Sequence, residues 1–332
     1  MNAVCREGGT PLHVAAQEGY DGIAKALIAA GANINARSDD DWTPLHSAAN
    51  RGRSEMAELL IAKGAEVSPK TKQGWTPLHY AADRGCSAVA QVLLVHGVDV
   101  DAKTLSDDSA LRRSLCGEHQ VVSTERLTSD SNSPTARITT GTPINKVPCG
   151  QYKDVIVLLI SHGADVNVRD DRGDTLLCRA ITERDEKLLE LLITHGADMD
   201  MVDMNGNSAL HHAAREGDER MSKLLITAHA DINLRDSTGA TPLHCAVSGN
   251  HGDIVSLLLA SGANVNAAEN DGDTALHIAA LRGYKDSVKL LLASGANVNI
   301  RDKAGNTPLD EAVRRQQKEI GDLLRKHAGT GN

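Results

Sequence analysis

The chain contains no phenylalanine, two tryptophans and four tyrosines in 332 residues, so a core built on large rings is excluded. Hydrophobic residues still make up 41% and charged residues 24% of it, a balance that supports a packed core and excludes global disorder. Alanine, leucine, isoleucine and valine must do the packing. Small side chains meeting at short range suit closely stacked helices better than one thick globular core. A basic excess is missing as well. The 35 Lys and Arg against 44 Asp and Glu give a formal net charge of −9, which argues against nucleic acid as the main partner, because phosphate neutralisation needs a basic face. No apolar run approaches the roughly 18 residues of a membrane span, so no membrane insertion is expected.

Signals of export and of catalysis are also absent. The opening stretch MNAVCREGGTPLH has no hydrophobic signal core. The six cysteines form no C-x-x-C pair and there is no N-x-[ST] acceptor. Both fit a reducing compartment, so a cytoplasmic or nuclear protein is expected. The phosphate-binding loop G-x-x-x-x-G-K-[ST], the nucleophile elbow G-x-S-x-G and the zinc helix H-E-x-x-H do not occur. An enzyme is therefore not expected, and no catalytic residue, cofactor or metal is assigned.

What is present is a repeat. T-P-L-H begins at Thr10, Thr43, Thr76 and Thr241, with variants at Thr175, Ser208, Thr274 and Thr307, and all of them fall on one 33-residue grid. Ser109 (SALR) and Thr142 (TPIN) fill the two remaining grid points, which makes ten periods. Each letter has a mechanical role. Threonine at the N-cap can accept a backbone N–H bond, and proline at the first helical position needs no donor. Small pairs such as Ala81 and Ala82 let the next unit approach. A second helix carries apolar residues at i, i+3 and i+4, as in Ile254, Leu257 and Leu258, and Gly262 stops it in the left-handed region. No unit buries its apolar faces alone, so stability must come from its neighbours.

Units such as DSTGATPLHCAVSGNHGDIVSLLLASGANVNA, Asp236 to Ala267, resemble the ankyrin-repeat family, and the resemblance covers essentially all 332 residues. It implies an all-α solenoid of helix-turn-helix units with projecting β-turns, acting as a protein-binding module. Six of the fourteen histidines (His13, His46, His79, His211, His244 and His277) are the H of the motif, for which the family implies a structural hydrogen-bonding role. The resemblance also marks Asn35, Asn167, Asn233, Asn266 and Asn299 as positions where cytosolic asparaginyl hydroxylases act on this family, a reading that competes with a purely structural turn role.

The periodicity fails in the middle. Residues 109 to 141 keep a usable first helix, Ala110 to Cys116, and lose the second; the next unit carries Pro148 in its first helix and keeps its second, Lys153 to His162. Pairing the two good halves into one repeat and looping out a degenerate Ser/Thr-rich insert, residues 118–149, gives about nine structural repeats, since long loops add closure entropy slowly. Ser129 and Ser133 in that insert are candidate phosphorylation sites. The last unit, 302–328, replaces the motif histidine with Asp310 and ends in a polar helix, as a capping repeat should.

Repeat solenoids bind on the concave face, made of turn tips and the exposed ends of the first helices. Trp42 and Trp75 occupy equivalent tips in adjacent repeats, with Asn50, Arg51, Asp83 and Arg84 beside them and Tyr80 one turn away. Paired tryptophans flanked by arginine match the composition of interface hot spots. These seven residues are the candidate partner-binding site. Aspartates on the tips, Asp39 to Asp41 among them, face arginines on the helix side, which suits a polypeptide of mixed charge. The expected function is that of an adaptor, inhibitor or regulatory subunit, with the alternative of an ankyrin arm belonging to a larger multidomain protein. The expected partner is another protein, and a monomer is expected.

Overall fold

A computed structural model of the chain describes residues 8–116 and 152–328, and the insert and its two serines lie outside them. The described residues divide between two compact units, Met1–Asp171 and Arg172–Asn332. The first contains α1 (Pro11–Glu18), α2 (Asp21–Ala29), α3 (Pro44–Asn50), α4 (Ser54–Ala62), α5 (Pro77–Asp83), α6 (Ser87–Val95), α7 (helical residues 110–116) and α8 (Tyr152–Ser161). The second contains α9 (Leu176–Thr182), α10 (Glu186–Thr194), α11 (Ala209–Glu216), α12 (Glu219–Thr227), α13 (Pro242–Ser248), α14 (Gly252–Ala260), α15 (Ala275–Arg282), α16 (Lys285–Ala293), α17 (Pro308–Arg314) and α18 (Lys318–Ala328). Among the described residues there are no strands, only isolated bridges such as Val202–Ser208 and Ala268–Thr274 in the turns.

Each unit is a repeat solenoid in which first helices pack on first helices and second on second. In the first unit α1 lies on α3 and α3 on α5, while α2 lies on α4, α4 on α6 and α6 on α8. The alanine pairs make this possible. Ala48, Ala49, Ala81 and Ala82 are fully buried on the first helices, and Leu60 of α4 and Leu93 of α6 are fully buried on the second. Glycine stops most second helices with positive φ. His229 takes that place after α12 at φ 66°, the left-handed histidine that its position in the period requires.

The motif histidine joins one repeat to the next. In α1, Thr10 N–H donates to His13 Nδ1 at 3.1 Å, and the Thr10 hydroxyl meets the same nitrogen at 2.9 Å. An amide can only donate, so Nδ1 must be the acceptor and the ring proton must sit on Nε2. That nitrogen then donates to the carbonyl 29 residues on, Trp42 O at 2.9 Å. His46, His79, His211 and His277 repeat the arrangement onto Trp75, Asp108, Ala240 and Asn306. His244 keeps the Nδ1 bonds, but its Nε2 is left without one. The N-cap hydroxyl thus serves the imidazole ring in these repeats. Where cysteine or aspartate replaces histidine, at Cys178 and Asp310, the threonine accepts the backbone N–H instead. Cys178 still reaches across, its Sγ 3.8 Å from Asn207 O.

A second ladder runs along the turns that end the repeats. Asn35 Oδ1 accepts from Glu66 N at 2.8 Å, Asn233 from Asn264 N at 2.7 Å and Asn266 from Asn297 N at 2.8 Å, each 31 residues on. Asp200 makes the same bond to Asp231 N. Asp101 makes it to Asp165 N at 3.0 Å across 64 residues, which is 31 plus one 33-residue period.

Three cysteines, Cys116, Cys178 and Cys245, are free and buried, whereas Cys86 is disulfide-bonded, which the cysteine spacing did not anticipate. No helix among the described residues is long and apolar enough to cross a membrane, and no group of three or more His, Cys, Asp or Glu among them could hold a metal ion.

Candidate protein-binding groove

The backbone of each tip is clamped before its side chain is considered. Trp42 O accepts from Ser38 N and from His13 Nε2, and Trp75 O accepts from Thr71 N and from His46 Nε2. Trp42 N–H donates to Ser38 Oγ at 3.2 Å and Trp75 N–H to Thr71 Oγ1 at 3.1 Å. With both carbonyl lone pairs and the amide used, each indole leaves a fixed platform. Trp42 Nε1 donates to Ser47 Oγ at 2.7 Å, which fixes the ring itself.

Tyr80, on α5, lies between the two indoles. Its ring centroid is 4.4 Å from that of Trp42 and 4.8 Å from that of Trp75, tilted by 59° and 41°. Tilted contacts of this kind suit the quadrupoles of the rings. Burial pushes the Tyr80 hydroxyl up to about 12, so it remains a neutral donor at any physiological pH. Beyond Trp75 the row continues into a cation: the Arg113 guanidinium stands 4.7 Å from the indole centroid and is ion-paired with Asp83 and Asp108. Burial alone would lower the pKa of Arg113, but these carboxylates outweigh it and raise the value. Asp83 is further engaged through its carbonyl, which accepts from the Tyr152 hydroxyl at 3.1 Å.

The seven candidate residues therefore separate. Trp42, Asn50, Tyr80 and Arg84 line one open groove of about 590 Å³, together with Gly9, Val14, Gln17 and Asp40. Trp75 and Asp83 belong to the internal cluster capped by Arg113, and Arg51 ends α3 without lining the groove. Within the groove, Asn50 Oδ1 accepts from Arg84 Nε at 2.9 Å and holds that guanidinium in place. All seven side chains are half-buried, so none is a freely moving surface group.

The charge pattern of the tips is partly spent internally. Asp41 pairs with Arg37 at 3.8 Å and Asp108 with Arg112, while Asp39 and Asp40 stay exposed. In the second unit, burial pushes Glu269 up to about 7, helped by Asp273, Asp236 and Asp271. Asp40 is thus an exposed carboxylate at the groove, whereas Glu269 sits among like charges.

The profile of ankyrin repeats, taken three copies at a time, matches residues 12–104, and overlapping matches cover 144–236, 183–269, 215–302 and 267–331. The chain belongs to the ankyrin-repeat family. Comparison with curated proteins gives no match. Ankyrin repeats are protein-interaction modules, and the groove at Trp42 is lined by the Trp42 and Tyr80 rings and by Arg84.

Sequence reasoning missed Gly9, Val14, Gln17 and Arg113. The signal that locates them is the period itself: Gly9 stands 33 residues before Trp42, Gln17 33 before Asn50, Val14 66 before Tyr80, and Arg113 33 after Tyr80. Reading the columns of the repeat, rather than its rows, shows which tip lacks a side chain and which first helix supplies a cation.

Proposed function

We propose that this ankyrin-repeat protein is a non-catalytic binding module that holds a partner polypeptide on its concave face, as an adaptor, inhibitor or regulatory subunit. The observation that carries the reading is the Trp42–Tyr80 ring pair lying open in a groove whose walls carry Asp40 and an Arg84 guanidinium held by Asn50. Half-buried aromatic anchors beside arginine are where binding energy concentrates at interfaces. The protein acts as a monomer in the cytoplasm or nucleus on this reading, with no nucleic acid partner.

The two tryptophans are expected to differ in role. Trp42→Ala removes a groove wall, whereas Trp75→Ala removes the platform under Arg113 and mainly costs stability. Affinity capture from source-cell lysate, followed by titration of the captured partner, tests this. Trp42→Ala is expected to weaken binding by about thirtyfold, the size of a hot-spot truncation, with a smaller fall in melting temperature than Trp75→Ala. Partner affinity unchanged in Trp42→Ala would refute the placement of the interface.

A further inference from the structure

The groove is the unfinished end of a row. Positions 14, 47, 80 and 113 stand one period apart on successive first helices, and positions 9, 42, 75 and 108 stand one period apart on successive tips. At the far end, Arg113 covers the Trp75 face with the carboxylates of Asp83 and Asp108 around it. One period earlier, Tyr80 packs on Trp42. One period earlier still, the same two positions hold Ser47 and Gly9, which supply neither ring nor cation, and the row opens into the 590 Å³ groove with Val14 on its lining. Asp40 stands at the groove, exposed and without an ion pair among the described residues.

Resting on the protein-binding reading above, we propose that the groove receives an arginine side chain of the partner, laid over the Trp42–Tyr80 rings with Asp40 as its counter-ion. The chemistry is that of the internal Arg113 site, displaced along the row. An aromatic face attracts a guanidinium, and a carboxylate beside it supplies the countercharge. Val14 is 55% exposed, an apolar edge along which the arginine methylenes can lie. Arg84, also on the groove lining, disfavours a run of basic residues, so the slot selects an isolated arginine over a polybasic tract.

The two tryptophans make the test direct, because the full chain labelled with ¹⁵N gives two indole N–H resonances, assigned with Trp75→Phe. The probes are acetyl-Gly-Arg-Gly-amide and the same peptide with citrulline, which keeps the shape of arginine and removes its charge. The Trp42 indole is expected to shift with the arginine peptide, with about fivefold weaker apparent affinity for citrulline and a similar loss in Asp40→Asn. Asp40 is exposed, so the variant should fold, and a melting curve checks that it does. Equal response to both peptides, a shift confined to the Trp75 indole, or no shift at millimolar peptide overturns the proposal. Charge-independent probe behaviour alongside a captured partner that still needs Trp42 sinks the arginine slot alone. Loss of that Trp42 dependence sinks the wider binding reading.

Discussion

A buried imidazole that accepts at Nδ1 and donates at Nε2 has no room for a second proton. Protonating Nδ1 would set two donors against each other at the threonine amide. Burial accordingly lowers His46 and His244 to about 4 and also depresses His13, His79 and His211. The unfolded chain titrates near 6.5, so as pH falls below that value the unfolded state takes up protons that the folded state refuses. The stability that these histidines contribute is complete above about pH 6.5 and is lost as pH falls towards 4. Thermal melts at pH 7.5, 6 and 4.5 should show a falling midpoint with the onset near pH 6.5. A midpoint that stayed level until the carboxylates titrate would contradict the tautomer assigned here. The histidine column was legible in the sequence as a recurring letter. Its direction across repeats was not, because a spacing of 33 does not say that the ring nitrogen reaches forward 29 residues to the next tip.

At the level of the turn, asparagine and aspartate perform one task in two charge states. Asn233 accepts from Asn264 N–H and donates to Gly262 O at 3.3 Å, while Asp200 and Asp101 make only the accepting bond. Asn233→Ala removes both bonds at an exposed site and is expected to cost about 1 kcal/mol by urea denaturation. Asn233→Asp, which keeps the acceptor, should cost clearly less. Equal costs would show that the ladder bond contributes nothing and that the turn conformation alone explains the residue. The helices themselves were readable because Thr-Pro, the alanine pairs and the left-handed glycine each act within a few residues. The groove was only half readable. Trp42 and Trp75 share the local sequence W-T-P-L-H, after Asp41 in one and Gly74 in the other, and they part company because Arg113, one repeat on from Trp75, covers only the second.

At the scale of the whole chain, the solenoid is held by contacts between neighbouring repeats, so what matters at the interrupted repeat is whether phase is kept across it. The Asp101–Asp165 bond and the bond from Arg112 Nε to Arg169 O at 3.0 Å both join residues on either side of the insert, and α8 packs on α6 as α6 does on α4. On our reading α7 and α8 form one repeat and a single 33-residue period is set aside between them. Excising residues 117–149 would then join Cys116 to Gly150 in the register of an ordinary repeat, as Arg215 leads into Glu216 at the end of α11. Replacing a connection of about 35 residues by one of two, Gly150 and Gln151, recovers roughly 2.5 kcal/mol of loop-closure entropy if the junction is unstrained. The excised chain should therefore melt above the native chain and bind its partner with unchanged affinity. Both melts should be run with a thiol reductant, so that the Cys86 disulfide contributes to neither. A lowered melting point with lost helical signal would mean that the excised period carries packing of its own. The chain would then be a ten-repeat array, not a nine-repeat array with a loop.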